Sequence, residues 1–157
     1  MKKLSIGIQS FQDLRENDYL YIDKTNHIYQ LINSGKVYFL SRPRRFGKSL
    51  LINTFEALFE GNKQLFEGLY IYDKWDWSKK YPVIHLDFTE LDYTTSEQLE
   101  LSLDKFLDDT AKRKNITLDQ TKTCLISSKF SELIKKLHES SGEQIALLID
   151  EYDKPMI

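Results

Sequence analysis

The triplet Gly47, Lys48 and Ser49 stands where an apolar run gives way to a segment with helical periodicity. Residues 37–40 are all apolar or aromatic and are bounded by polar and turn-forming residues, a pattern typical of a short buried strand. After the triplet, apolar residues recur at helical spacing as far as Gly61. The sequence therefore predicts a strand at 37–40, a loop, and a helix that starts near Gly47.

The loop matches the last three fixed positions of the phosphate-binding pattern G-x-x-x-x-G-K-[ST], known as Walker A. Arg42 replaces the first glycine of that pattern, and Pro43 lacks an amide hydrogen, so the start of the loop differs from the common form. In this pattern Gly47 lets the backbone approach phosphates, Lys48 reaches the β and γ oxygens, and Ser49 ligates Mg²⁺. Chance is the alternative, because Gly-Lys followed by Ser or Thr occurs in roughly one chain in ten of this length.

A second pattern, known as Walker B, follows much later in the chain. Residues 145–149 are apolar at every position, which predicts a strand buried on both faces in a parallel sheet. Asp150 and Glu151 follow it directly. At the carboxyl end of such a strand, Asp150 would order Mg²⁺ and Glu151 would orient or deprotonate the attacking water. Two acids are also a common way for a strand to end in solvent, but together with the loop they favour a nucleotide site.

The rest of the chain predicts strands alternating with helices. Residues 82–88 read as a strand, and two helices with capping-box spacing should follow, one after Thr94 and Glu97 and one after Thr117 and Gln120. These elements predict an α/β fold, a P-loop NTPase-type parallel sheet flanked by helices and truncated after the Walker B strand.

The N-terminal part predicts short helices. Ser10 and Asp13 have capping-box spacing, and Asp23 or Thr25 can cap a second helix that runs to about Ser34. With no repeat or linker in the sequence, we expect one domain over residues 1–157, in which residues 1–35 form a helical lead-in.

Charge and composition exclude several classes of protein. The net charge of -2 argues against coating nucleic acid through bulk charge, although five cations and no acid lie between Lys36 and Lys48. A nucleic-acid partner is unsupported. Cys124 is the only cysteine, which fits a reducing compartment and predicts a cytoplasmic location. No apolar run approaches the ~20 residues of a membrane span, so no membrane partner is expected.

With both motifs in place, the sequence resembles the AAA-ATPase-like domain family, a divergent branch of P-loop ATPases. The resembling stretches are residues 21–25 (Tyr-Ile-Asp-Lys-Thr), 39–50, 82–88 and 149–155. An arginine in place of the first glycine is itself usual in that family. The resemblance covers almost the whole chain.

The resemblance implies binding of ATP and Mg²⁺ and hydrolysis of ATP by the intact family domain. The residues it implies for the nucleotide are Arg44, Arg45, Phe46, Gly47, Lys48, Ser49 and Leu50. It implies Ser49 and Asp150 as metal ligands, and Glu151 with Lys48 as catalytic residues. Arg44 and Arg45 would neutralise phosphate or transition-state charge, or they are solvated surface arginines.

Members of the family commonly carry a following nuclease-like domain of the PD-(D/E)XK type, and P-loop ATPases of this class place two more strands after Walker B. We therefore expect a missing C-terminal region or a partner chain to complete the catalytic domain. The alternatives are a nucleotide-binding switch module or a truncated remnant, neither with turnover. A phosphotransferase is disfavoured by the Asp150 and Glu151 pair, because a kinase excludes water.

Two further groups of residues admit a functional and a structural interpretation. Asp87 and Thr89 lie near the carboxyl end of a predicted strand, where ligands bind, but a strand-ending Asp is more often structural. Asp23 and Thr25 could frame the nucleotide, although helix capping explains both.

Overall fold

The computed structural model describes residues 3–4, 7–41, 43, 45–119 and 125–154. The chain divides into two compact units, Met1–Lys80 and Tyr81–Ile157. The first unit contains three α-helices in its described part, α1 (Phe11–Glu16), α2 (Thr25–Ser34) and α3 (Lys48–Phe59), followed by a 3-10 helix at Lys63–Phe66. The second contains β1 (Val83–Asp87), a 3-10 helix at Phe88–Glu90, α4 (Ser96–Arg113), α5 (Ile126–Ser141) and β2 (Ala146–Asp150).

The core of the first unit is aromatic. Phe11 is fully buried and lies between two other rings, with centroid distances of 5.1 Å to Tyr21 and 4.9 Å to Phe66. Ile28 of α2 and Leu58 of α3 belong to the same buried cluster. Because α1, α2 and α3 all contribute to it, this core fixes the helices of the unit around one apolar centre.

The second unit is a two-stranded parallel sheet with helices packed against it. β1 and β2 pair in register from Val83 with Ala146 to Asp87 with Asp150. Ile84 of β1 is fully buried in a cluster with residues of α4 and α5, including Leu107 and Leu133. The expected α/β class, with a parallel sheet flanked by helices, is confirmed.

The prediction of a strand at residues 37–40 is wrong. These residues have no strand assignment, and Val37 and Phe39 are 92% and 71% exposed. A strand needs a second strand to complete its hydrogen-bond ladder. The described part of Met1–Lys80 contains no named strand, and the extended pairing recorded there is a single bridge between Lys3 and Tyr19. Apolar character alone therefore did not make this segment a strand.

The predicted burial of β2 on both faces is also wrong. Leu147 and Ile149 are 41% and 44% exposed, whereas Asp150 is buried. The sheet has two strands in the described residues, and the buried cluster formed with α4 and α5 involves Ile84 of the neighbouring strand. Such a small sheet leaves one face of β2 open.

The helix boundaries follow the sequence patterns unevenly. Ser10 caps α1 as predicted, its Oγ accepting a hydrogen bond from the Asp13 amide at 3.1 Å. The cap of α4 is Thr95 rather than Thr94, which instead donates its hydroxyl to Asp92.

The helix predicted after Thr117 begins later, at Ile126. Its predicted partner Gln120 lies outside the described residues, as does Cys124. The Thr117 carbonyl accepts a hydrogen bond from Lys136 of α5, so Thr117 belongs to a loop held against that helix. Among the described residues, no helix combines the length and apolar character needed to cross a bilayer.

Candidate functional site

The loop that leads into α3 has two residues in the left-handed conformation, Arg45 at φ +66° and Gly47 at φ +74°. A Cβ placed on Gly47 would meet no heavy atom of the described residues within 4 Å. Glycine is therefore favoured here by its backbone conformation, and none of the described residues fills the space beside it. Arg44 and Arg42, which the sequence placed in this loop, lie outside the described residues.

The first turn of α3 presents amide groups that the helix itself cannot satisfy. The first helical hydrogen bond runs from the Leu51 amide to the Gly47 carbonyl at 3.0 Å. The amides of Lys48, Ser49 and Leu50 therefore have no carbonyl partner within the helix. These groups, together with the helix dipole of a 12-residue helix, make this terminus favourable for an anion.

The side chains of the loop are accessible. Arg45, Phe46 and Gly47 are exposed, and Lys48 and Ser49 are half-buried. The Leu50 carbonyl accepts the Thr54 hydroxyl at 2.7 Å, and the Ser49 carbonyl accepts the Asn53 side-chain amide at 3.0 Å. The first turn is thus fixed by side chains one turn further along, while its outer groups stay open.

In the second unit, Asp150 ends β2 and is only 5% exposed. Its Oδ1 accepts a hydrogen bond from the Glu151 amide at 2.9 Å. Glu151 has φ +52°, a left-handed conformation that costs a non-glycine residue free energy and often marks a functional position. The Glu151 carbonyl accepts the Lys154 amide at 3.0 Å and closes a turn just after the strand.

Asp87 ends β1 directly opposite Asp150. Its Oδ1 accepts hydrogen bonds from both the amide and the hydroxyl of Thr89, at 2.8 and 2.7 Å. The sequence allowed either a functional or a structural role for Asp87 and Thr89. In the structure, the two residues close the turn into the following 3-10 helix.

Asp23 and Thr25 link α2 to a distant turn. Asp23 Oδ1 accepts the Thr25 amide and hydroxyl at 2.8 and 2.7 Å, and its Oδ2 accepts the Tyr70 amide at 2.7 Å. Thr25, fully buried, accepts the Ile71 amide at 3.2 Å. Burial raises the pKa of the Asp23 carboxyl, but these hydrogen bonds outweigh it and hold the pKa below 3.8. The sequence could not reveal partners so distant along the chain.

The donor set can be compared with the needs of a metal ion. In the described residues, no group of three or more His, Cys, Asp or Glu side chains is placed to hold a metal. The hydroxyl of Ser49 and the carboxylate of Asp150 are oxygen donors, which Mg²⁺ prefers, and it commonly takes few protein ligands alongside phosphates and water. These two residues fit Mg²⁺ in their chemistry.

The comparisons with known proteins assign the family. The family described as Predicted AAA-ATPase matches residues 5–157. The chain belongs to this family. This chain is also 44% identical over 157 residues to a protein of Azotobacter chroococcum mcd 1 described as "Uncharacterized protein in vnfD 5'region". That match covers 99% of this chain and 30% of the Azotobacter protein, so the chain spans about a third of its relative's length. No solved structure matches the chain.

Proposed function

We propose that this chain binds MgATP, with the loop before α3 holding the phosphates, and that the intact family domain hydrolyses the nucleotide. The observation that carries this proposal is the left-handed Gly47 followed by a helix whose first turn combines Lys48, Ser49 and amides without intrahelical partners. The assignment to the Predicted AAA-ATPase family supports it. The fold expected of such a chain is that of a P-loop NTPase.

The phosphates require donors that converge where the backbone can come close. Gly47 offers that approach because no Cβ occupies the open space beside it. The amides of the first turn would then donate to phosphate oxygens, and the ammonium of Lys48 would neutralise the β and γ charges. Arg45, Phe46 and Leu50 complete the proposed contacts, and Arg44 is included on the sequence pattern alone.

Mg²⁺ would be held by the Ser49 hydroxyl and by Asp150, directly or through a bound water, and when bound it supplies charge neutralisation on the phosphates. The Asp150 side chain is held in place because its Oδ1 accepts the Glu151 amide. Glu151 would accept the proton of the attacking water as the general base.

Turnover is tested by steady-state release of phosphate from ATP, with Glu151→Gln as the decisive variant. We expect Mg²⁺-dependent release that this variant reduces at least about a hundredfold, since general-base catalysis contributes on that scale. Asp153→Asn is a matched control, because it neutralises a nearby carboxylate to which the proposal gives no role. Equal release by wild type and Glu151→Gln would contradict the role of Glu151. Nucleotide binding without release would favour a nucleotide-binding switch.

A further inference from the structure

The side chain of Asn53 is hydrogen-bonded to the first turn of α3. Its Nδ2 donates to the Ser49 carbonyl at 3.0 Å, four residues back along the helix, and Asn53 itself is half-buried. Side chains in a helix lean towards its N-terminus, which is the end of α3 where the proposed phosphate ligands lie. Asparagine is a poor residue for a helix interior, because its amide competes for backbone groups. Asn53 is therefore better explained by its contact with the first turn than by helix propensity.

The carbonyl of Ser49 and the amide of Leu50 belong to the same peptide group. Because that group is planar, a bond that holds the carbonyl also fixes the direction of the amide. The Leu50 amide has no carbonyl partner within the helix, since the first helical bond joins Leu51 to Gly47. Asn53 thus holds one end of a peptide group whose other end is one of the proposed phosphate donors.

Thr54 provides a contrast within the same helix. Its hydroxyl donates to the Leu50 carbonyl at 2.7 Å, so it holds the next peptide group, which carries the Leu51 amide. That amide already donates to the Gly47 carbonyl at 3.0 Å. The bond from Thr54 therefore supports a contact inside the helix, whereas the bond from Asn53 acts on a group that can reach a ligand.

We infer that Asn53 is a positioning residue for the proposed nucleotide site, which it serves through the peptide group between Ser49 and Leu50. This inference rests on the proposed binding of MgATP. A donor on the carbonyl fixes the direction of the peptide group and polarises it, which makes its amide a stronger hydrogen-bond donor. Such cooperativity strengthens a bond by roughly 10–30%, and bonds to charged groups are the stronger ones, so loss of the Asn53 amide should weaken MgATP binding about twofold to fivefold.

The test is the dissociation constant of MgATP for Asn53→Ala, measured by calorimetry on the 157-residue chain. We expect binding weakened about twofold to fivefold. The unfolding temperature should change little, because the higher helix propensity of alanine offsets the lost bond to the helix backbone. Asn53→Leu keeps nearly the size of the side chain without its amide. It should weaken binding to the same extent, and it decides the matter if Asn53→Ala does not fold.

Asn33→Ala is the matched control, in a helix to which the proposal gives no role. Asn33 of α2 makes the same kind of bond, from its Nδ2 to the Tyr29 carbonyl at 2.7 Å. Its substitution should change helix propensity in the same way and leave the affinity for MgATP as in the wild type.

Asn53→Ser is the rescue variant. A serine hydroxyl can reach the carbonyl four residues back in a helix, as the Ser131 hydroxyl does with the Ser127 carbonyl at 2.8 Å. This variant therefore restores a donor to the Ser49 carbonyl, and its affinity for MgATP should be close to that of the wild type.

Wild-type affinity in Asn53→Ala, or equal weakening in Asn53→Ala and Asn33→Ala, would overturn the positioning role and leave the proposed function intact. The same loss in Asn53→Ser as in Asn53→Ala would also overturn it, because a donor to the Ser49 carbonyl would then have no effect. Absence of MgATP binding by the folded wild-type chain would instead refute the proposed function and this inference with it.

Discussion

Asp87 and Asp150 lie directly opposite each other at the carboxyl ends of the two parallel strands. Residues in register on neighbouring strands present their side chains to the same face of the sheet. Each carboxylate is held by the residues that follow its own strand, Asp87 by Thr89 and Asp150 by the Glu151 amide. Two acids thus share one edge of the sheet, and of the two only Asp150 is buried.

Asp150→Asn should abolish the dependence of nucleotide binding on Mg²⁺, weakening MgATP binding by about tenfold or more, because an amide oxygen is a poorer ligand than a carboxylate. Asp87→Asn should retain that dependence and lower the free energy of unfolding by about 1 kcal/mol through its turn. Calorimetry with and without Mg²⁺ measures the first effect, and urea unfolding measures the second. If Asp87→Asn also abolished the dependence, Asp87 would be a metal ligand.

Gly47→Ala should prevent MgATP binding, whereas Gly68→Ala should not. Both glycines lie in the first unit with nearly the same conformation, φ +74° and +75°, and a Cβ on either would meet no atom of the described part of the chain within 4 Å. Each substitution should therefore cost about 1 kcal/mol in the free energy of unfolding, the strain of a left-handed alanine. Thermal unfolding and calorimetry on both variants check this. Equal binding by both would contradict close approach of the phosphates to Gly47.

Lys129→Met should destabilise the second unit by about 1–2 kcal/mol. The largely buried ammonium lies 2.6 Å from Asp104 and 2.9 Å from Asp108, and without it these acids repel each other on α4. Lys135→Met is the control, since Lys135 is exposed and 3.8 Å from Glu139, and should have little effect. Urea unfolding distinguishes the two variants. A similar loss of unfolding free energy in both variants would mean that the contacts of Lys129 with Asp104 and Asp108 contribute little to stability.

The same lysine gives a pH dependence. Burial lowers the pKa of Lys129, but its hydrogen bonds to Asp104 and Asp108 and their charges outweigh it and raise the pKa above 10.5. Its contribution to stability is therefore fully present below pH 10.5 and is lost as the pH rises through the folded-state value. Over that range, Lys129→Met should lose less free energy of unfolding than the wild type.

Asp23→Asn should weaken the response of the chain to acid. Because the folded pKa of Asp23 lies below 3.8, its contribution to stability is present above that pH and is lost as the pH falls through the folded value. The variant lacks this titration, so its stability should fall less steeply below about pH 4. The exposed Asp73→Asn is the control. Urea unfolding at several pH values measures each slope, and an unchanged slope in Asp23→Asn would contradict the role of this carboxylate.

Sequence patterns predicted the elements whose periodicity and local caps are contained in one stretch of chain. The helix after Gly47, the strand after Pro82 and the cap at Ser10 are of this kind. In each case the deciding interactions lie within a few residues, so the sequence contains what is needed.

The remaining features depend on partners that are distant along the chain. The apolar character of residues 37–40 indicated a strand, but pairing decides whether a strand forms. The hydrogen bonds from the Tyr70 amide to Asp23 and from the Ile71 amide to Thr25 join residues with no local pattern in common. The sequence predicted the members of the candidate site through their motifs, but it could not predict these long-range hydrogen bonds.

The most direct test is calorimetric titration of the wild-type chain with MgATP, alongside Lys48→Ala and the control Lys36→Ala. Lys36 is an exposed lysine of the same cationic stretch, so it tests whether charge alone is sufficient. We predict saturable binding by the wild type and by Lys36→Ala, and a loss of about tenfold or more in Lys48→Ala. No binding by the folded wild-type chain, or equal binding by all three, would contradict a phosphate site at the start of α3.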